Sequence, residues 1–344
     1  MDKVRVILYG VGEVGSRIAK HLLEKEGTEI VGAIDMAKDK IGKDLSEILG
    51  SSRRLGVQVS DSPDTVLSKV KADIAVHATS SFLKHVYPQI ETCIKHGVNI
   101  VSTCEELSYP YVSDSQIAQK LDALAKKHKV TVLGTGINPG FLMDTLTITL
   151  TGLCQKVEKI KVTRLMNAAT RRIPFQKKIG AGLTIDEFKE KIKKGHITGH
   201  VGLAQSVSMI AAALAWKLDK TIIDEVQPIV ATKPVSSQAV KVEKGKAAGL
   251  KQIARGVRDG REAITLEFQA YIGAEEEYDA VDIDGWPPIH EKISPCVHGD
   301  YGTVAVIVNS IPKVLNAQHG LVTMKDLPLP SATPEDMRKY LMEK

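Results

Sequence analysis

Glu105 and Glu106 are adjacent carboxylates that follow directly on an apolar run, Val98-Asn99-Ile100-Val101-Ser102. An exposed helix face solvates charge far more easily than the end of a buried strand, so the placement is unusual. One of the two reads as a helix-start acid favoured by the dipole. The other then points into the crevice beyond the strand end. There, partly desolvated, it would have a raised pKa and could act as a general base near neutral pH. Glu105 is nearer the strand and is the preferred base, with Glu106 the alternative.

A second pattern is Gly10-x-Gly12-x-x-Gly15, entered from the β-branched run Val4-Arg5-Val6-Ile7-Leu8-Tyr9 and followed by an amphipathic helix with Val14, Ile18 and Leu22 on one face. The first glycine permits the tight turn, the second lets backbone approach a pyrophosphate, and the third lets helix and strand pack closely. The helix-start N–H groups around Glu13 and Val14, at the positive end of the dipole, would hold that anion. Asp35 closes the next strand 20 residues past Gly15, where an acceptor for a ribose 2′-hydroxyl is expected. The implied cofactor is NAD or NADP. Asp35 favours NAD, and the nearby Lys38 and Lys40 could tolerate a 2′-phosphate.

Other candidates sit at further strand ends. His77-Ala78-Thr79-Ser80-Ser81 is small enough at Ala78 and Thr79 to pass near ribose and nicotinamide, and Thr79 or Ser80 could equally cap a helix. Gly134-Thr135-Gly136-Ile137-Asn138-Pro139-Gly140-Phe141 is a shaped loop, and its Asn138 amide could hold the nicotinamide carboxamide or a substrate. Downstream, Arg171 and Arg172 could grip a substrate carboxylate through a bidentate fork, or serve the surface or a subunit contact. His200 is placed at a helix start, with site, cap and core roles open. His298 is a weaker site candidate, and Asp300 is expected to N-cap a final helix.

The elements that must position these residues follow from periodicity. Through about residue 150, strands alternate with helices: a weak strand at Val57-Gln58-Val59, a helix opened by Ser62-Pro63, and strands at 73–78, 98–102 and 130–133. This is an α/β, doubly wound parallel sheet of Rossmann type, with its sites at the carboxyl ends of the strands. From residue 151 to 300 the pattern alternates in period two, at 159–165 and at 262–272. A second α+β domain with a mostly antiparallel sheet is expected there, one face wet or partner-covered. Helices are predicted over 184–194, with Thr184 and Glu187 as a capping box, and over 201–217. The Lys- and Gly-rich stretch 241–251 reads as surface hairpin turns. A last helix, 301 to about 310 and limited by Pro312, returns the chain to the first domain, with the tail to residue 344.

Composition narrows the function classes. The 344 residues are 43% hydrophobic and 25% charged, with no apolar run long enough to span a bilayer and no visible targeting segment. Four scattered cysteines show neither metal-ligand spacing nor a disulfide framework, which fits a cytoplasmic chain without structural metal. The net charge of +5 is spread along helix faces rather than gathered in a stripe with aromatics, so neither nucleic acid nor membrane is an expected partner.

Thr103-Cys104-Glu105-Glu106-Leu107-Ser108-Tyr109-Pro110, Gly134 to Asp144, Gly199-His200-Val201-Gly202-Leu203 and Val297-His298-Gly299-Asp300 together resemble the 2,4-diaminopentanoate dehydrogenase family. That family acts in ornithine degradation and has native amine dehydrogenases among its relatives. The resemblance implies a dihydrodipicolinate reductase-like fold, NAD(P)-dependent oxidative deamination of a small amine, a base at Glu105 or Glu106, and homodimers formed through the second-domain sheet. The His-His-x-x-Lys segment of the reductase proper is absent, which argues against dihydrodipicolinate reduction. Homoserine and sugar dehydrogenases usually carry a lysine where this chain has glutamates, which argues for an amine substrate. A dinucleotide sensor without turnover is the alternative from another class, and it leaves the glutamate pair and the Asn138 loop without a purpose.

Overall fold

Apolar runs bounded by glycine and by capping side chains build the first half of the chain. The computed structural model describes residues 2–342. It divides into two compact units, one running to Phe141 and resuming at Gly299, the other spanning Leu142–His298. In the first unit the elements run β1 (Val4–Tyr9), α1 (Glu13–Glu24), β2 (Thr28–Ile34), α2 (Leu45–Leu49), β3 (Val59–Ser60), α3 (Pro63–Lys69), β4 (Ile74–His77), α4 (Leu83–Lys95), β5 (Asn99–Ser102), α5 (Ser115–His128) and β6 (Thr131–Gly134). Helix α1 turns Gly15, Ile18, Ala19 and Leu22 into the core, while Val14 stays half-buried. Ser62 caps α3 through Thr65 N, as its place before Pro63 predicts. The third strand is shorter than expected: Val57 lies outside it, and Gln58 makes only an isolated bridge to Asp44.

The second unit contains α6 (Thr145–Thr151), β7 (Lys156–Asn167), α7 (Ile173–Lys178), α8 (Ile185–Lys193), α9 (Leu203–Ala213), β8 (Lys220–Ile223), β9 (Gln227–Val230), β10 (Val235–Ser236), β11 (Lys241–Val242), β12 (Ala247–Arg258), β13 (Arg261–Tyr271), β14 (Tyr278–Trp286) and β15 (Ile289–Ile293). Its main sheet runs β15-β14-β7-β13-β12-β8, with β9 also on β12, and every pairing except β7 with β13 is antiparallel. Along β13, Ile264, Leu266, Phe268 and Ala270 are buried, and the residues between them are half-buried on the other face. The capping box of α8 forms as predicted, Thr184 Oγ1 accepting Glu187 N and the Glu187 carboxylate accepting Thr184 N.

Two expectations fail in this unit. The stretch 241–251 is not all surface turn: Ala247, Ala248 and Leu250 are buried in β12. A Cβ at Gly249 would lie 2.0 Å from the Ala270 carbonyl, so small residues here serve close strand packing rather than a turn. Helix α9 is shorter than 201–217, because Gly202, with φ +107°, holds the N-cap position and the helix ends at Ala213.

The chain then forms α10 (Gly299–Asn316) and β16 (Gly320–Val322) in the first unit. The parallel sheet is completed in the order β16-β6-β5-β4-β1-β2-β3. Helix α10 does not stop near residue 310: it runs through Pro312. Val308, Ile311 and Val314 are fully buried around that proline. Their burial outweighs the lost backbone hydrogen bond. Asp300 lies in the first turn of α10 rather than at a cap, and its carboxylate sits 4.0 Å from Arg17.

Candidate functional site

Gly10, with φ +96°, turns the chain out of β1, and its N–H bonds the Ile34 carbonyl of β2 at 2.8 Å. A Cβ at Gly10 would lie 2.3 Å from the Ala78 carbonyl, and one at Gly15 would lie 2.0 Å from the Gly10 carbonyl. Gly12 is the reverse case: nothing lies within 4 Å of its missing Cβ. The loop is therefore packed from below and open above, as a backbone cradle for a bulky anion must be. Gly12 offers no side-chain cap to α1, whose N-terminus is the positive end of the helix dipole. Exposed Glu13 pairs with Arg17 at 3.4 Å.

Asp35 stands beside this cradle. Its Oδ2 accepts Val11 N at 2.7 Å and its Oδ1 accepts Ala37 N at 2.9 Å. Lys40 Nζ donates both to Asp35 Oδ2 at 3.0 Å and to the Val11 carbonyl at 2.9 Å. Burial pushes the Asp35 carboxyl up, but these bonds outweigh it and hold it below the usual carboxylate value. The sequence places Lys38 and Lys40 alike near Asp35; the structure joins Lys40 to it and leaves Lys38 exposed. These residues fit the adenosine and pyrophosphate half of a nicotinamide dinucleotide.

At the ends of β4 and β5 a buried relay holds the neighbouring walls. His77 is completely buried; its Nε2 lies 2.7 Å from Gln89 Oε1 and its Nδ1 2.8 Å from Ser102 Oγ. Ser102 Oγ accepts Cys104 N at 3.1 Å, so its hydroxyl hydrogen is free to donate to Nδ1. One neutral tautomer, with the hydrogen on Nε2, satisfies the whole set. Thr79 Oγ1 joins it, 2.6 Å from Gln89 Oε1 and 3.1 Å from His77 Nε2. Burial pushes the His77 pKa down to about 4. The relay ties half-buried Ala78 and exposed Thr79 to the turn that carries the glutamates. Sequence reasoning missed Gln89 and Ser102, because their partners lie 12 and 25 residues away.

Glu105 and Glu106 open a short 3₁₀ turn, and both are half-buried. Glu106 has a structural partner. Glu106 Oε2 accepts Leu83 N at 2.7 Å, and Glu106 N donates to the Ser81 carbonyl at 3.2 Å. Glu106 thus caps α4, the helix whose own N-cap residue, Phe82, has no side-chain acceptor. Thr79 and Ser80 do not provide that cap: Thr79 is held in the His77 relay, and Ser80 Oγ accepts Phe82 N at 3.3 Å and lies 3.3 Å from His85 Nδ1. Beyond β6, Gly140 has φ +125°, and a Cβ there would lie 2.5 Å from Gly136 N. The loop is folded tightly, with Asn138 buried within it.

In the second unit, Arg171 is buried and Arg172 half-buried at the N-cap position of α7. Arg171 Nη2 lies 3.8 Å from Cys296 Sγ, which brings Arg171 to the segment that carries His298. His200 is not at a helix start. Its N–H donates to Gln252 Oε1 at 2.9 Å, and its ring stacks on Phe268 with centroids 4.4 Å apart, over the sheet. Among the described residues, no group of three or more His, Cys, Asp or Glu side chains is placed to hold a metal ion.

Comparison with known proteins agrees with this architecture. Residues 4–133 match the model of the dihydrodipicolinate reductase N-terminus, and residues 141–343 match that of the 2,4-diaminopentanoate dehydrogenase C-terminal domain. The chain is 36% identical to 2,4-diaminopentanoate dehydrogenase of Acetoanaerobium sticklandii, over 100% of this chain and 98% of the relative. It is 21% identical to an amine dehydrogenase of Streptomyces virginiae, over 95% and 96% of the two chains. Among solved structures, the amine dehydrogenase from Mycobacterium smegmatis superposes with a TM-score of 0.83 at 29% identity, covering 96% of this chain and 98% of that one. Dipicolinate-bound dihydrodipicolinate reductase from Paenisporosarcina sp. TG-14 shares the fold, with a TM-score of 0.54 at 14% identity over 94% and 98%. The chain belongs to the 2,4-diaminopentanoate dehydrogenase family and is an NAD(P)-dependent amine dehydrogenase.

Proposed function

We propose that this chain deaminates 2,4-diaminopentanoate at C4, releasing ammonia and 2-amino-4-oxopentanoate, with Glu105 as the general base. The substrate is that named for the relative from Acetoanaerobium sticklandii. The assignment of the base rests on one observation: the Glu106 carboxylate is committed to Leu83 N at the start of α4. Glu105, the nearer of the two to the end of β5, is then the preferred base.

The bound nicotinamide supplies the two-electron acceptor for the hydrogen on C4. The ammonium group must first become a neutral amine, because its lone pair drives the C–H bond to break. Glu105 takes that proton and passes it to solvent, so it is again an anion when the iminium forms and stabilises the positive charge. When water adds to the iminium carbon, the same carboxylate accepts a proton from the water. Glu105 then returns that proton to the carbinolamine nitrogen, and collapse to the ketone expels ammonia and releases the hydroxyl proton to solvent.

Asp35 supports a preference for NAD, since its fixed carboxylate suits a ribose 2′-hydroxyl, and Lys40 supports tolerance of NADP. We retain Gly10, Gly12, Glu13, Val14, Gly15, Asp35, Ala78, Thr79 and Asn138 as the cofactor-binding set, with Asn138 also a candidate for substrate. Arg172, His200 and His298 are kept as candidate substrate contacts. The open face of the second sheet, where Glu267 is only 13% exposed between Lys161 and Lys251, supports a homodimer. The free thiols of Cys93, Cys104, Cys154 and Cys296 suit a reducing cytoplasm, and among the described residues no helix is long and apolar enough to cross a membrane.

The test is direct. Purified protein with NAD+ or NADP+ and 2,4-diaminopentanoate should generate reduced nicotinamide and ammonia in equal amounts. Cofactor binding without turnover of this or any other amine would contradict the reading.

A further inference from the structure

We infer that Arg171 is an anion anchor in the second unit, holding the carboxylate of an amino-acid substrate through a two-pronged hydrogen bond. This rests on the reading of the chain as a 2,4-diaminopentanoate deaminase, and it adds which residue selects an amino acid over a simple amine.

Arg171 is 8% exposed, and among the described residues its buried Nε and Nη1 have no hydrogen-bond acceptor. Nη2 meets the Cys296 sulfur, at 3.8 Å. That thiol brings no compensating charge, since burial pushes its pKa up to about 11. The nearby carboxylates are already engaged. Asp279 receives Arg164 on one oxygen and Val297 N, at 2.9 Å, on the other. Glu277 Oε2 accepts Asn167 N at 3.1 Å. Arg164, buried more deeply, shows how this unit pairs a structural arginine: one guanidinium nitrogen on Asp279 and another on the Val297 carbonyl.

The Arg171 main chain is fixed on both sides. Its N–H donates to the Ala168 carbonyl at 3.1 Å, and its carbonyl accepts Gln176 Nε2 at 2.7 Å. The residue is held in place while its Nε and Nη1 have no acceptor among the described residues. An unpaired buried guanidinium is costly to a folded chain, and a ligand carboxylate supplies both the charge and the two acceptors it needs. A site built this way penalises an analogue that leaves its donors unmatched.

The experiment uses Arg171→Met and Arg171→Lys in the full chain. Thermal melts come first. Removing an unpaired buried charge should leave the melting temperature of Arg171→Met unchanged or raised, whereas a clear fall would mark a structural arginine and overturn the proposal. Steady-state kinetics with 2,4-diaminopentanoate should then show kcat/KM reduced about 100-fold or more in both variants, carried mainly by KM. With pentan-2-amine, which lacks the carboxylate, the variants should match the parent or exceed it. Equal losses on both amines, or no loss on 2,4-diaminopentanoate, would overturn the anchor.

Norvaline, which keeps the carboxylate but lacks the C4 amine, separates this proposal from the functional reading. If the parent enzyme does not turn over 2,4-diaminopentanoate, that reading fails, and calorimetric binding of norvaline still decides the anchor. Binding that weakens in both variants supports it; equal binding by parent and variants, or none by the parent, overturns it.

Discussion

The carboxylate of Glu106 accepts the backbone N–H of Leu83 at 2.7 Å, which makes it the cap of a helix that begins 23 residues earlier in the chain. The bond gives Glu106 a structural task. Glu106→Ala should therefore act mainly on stability. Loss of a cap costs about 1 kcal/mol, or about 2–4 °C in melting temperature for a domain of this size. Glu106→Gln keeps an acceptor and should cost less. Melting curves check both, and a large loss of kcat in Glu106→Gln at unchanged stability would reverse the two assignments.

The His77 relay makes stability depend on pH. His77 has its pKa pushed down from 6.5 to about 4 by burial. Between those values the unfolded chain binds a proton that the folded chain does not. Stability from this group is therefore fully present above about pH 6.5 and is lost as pH falls through the window toward 4. At about 1.4 kcal/mol per unit, the whole window is worth roughly 3 kcal/mol. His77→Asn should flatten this part of the curve of melting temperature against pH. A curve as steep as the parent's would show that His77 is not its source.

Lys40 holds Asp35 and the Val11 carbonyl together, and the proposed cofactor preference turns on this pair. Lys40→Ala should remove positive charge from the 2′ position and raise the NAD-to-NADP ratio of kcat/KM, by roughly tenfold for about 1.4 kcal/mol. Asp35→Ser should lower the same ratio. Ratios that do not move in opposite directions in the two variants would remove this pair from cofactor selection.

The Rossmann-type sheet was legible because parallel strands are buried on both faces and read as unbroken apolar runs. Glycine spacing likewise showed where β1 ends. Reading failed where tertiary packing overrode a local rule. Pro312 predicted a stop, but the buried side chains of Val308, Ile311 and Val314 carry α10 past it. Ala247, Ala248 and Gly249 looked like turn residues, but they are small because another strand lies against them. The candidate site divides in the same way. Glu105 and Glu106 stood out by type and position. Which of them is a cap depended on a long-range partner, Leu83, that no local pattern reveals.

The most direct test of the account is the single-turnover rate of Glu105→Gln with saturating 2,4-diaminopentanoate and NAD+. Losing a general base should slow the chemical step about 10²- to 10⁴-fold, with the fold intact by melting curve and dinucleotide binding unchanged. A rate within a few-fold of the parent would contradict Glu105 as the base.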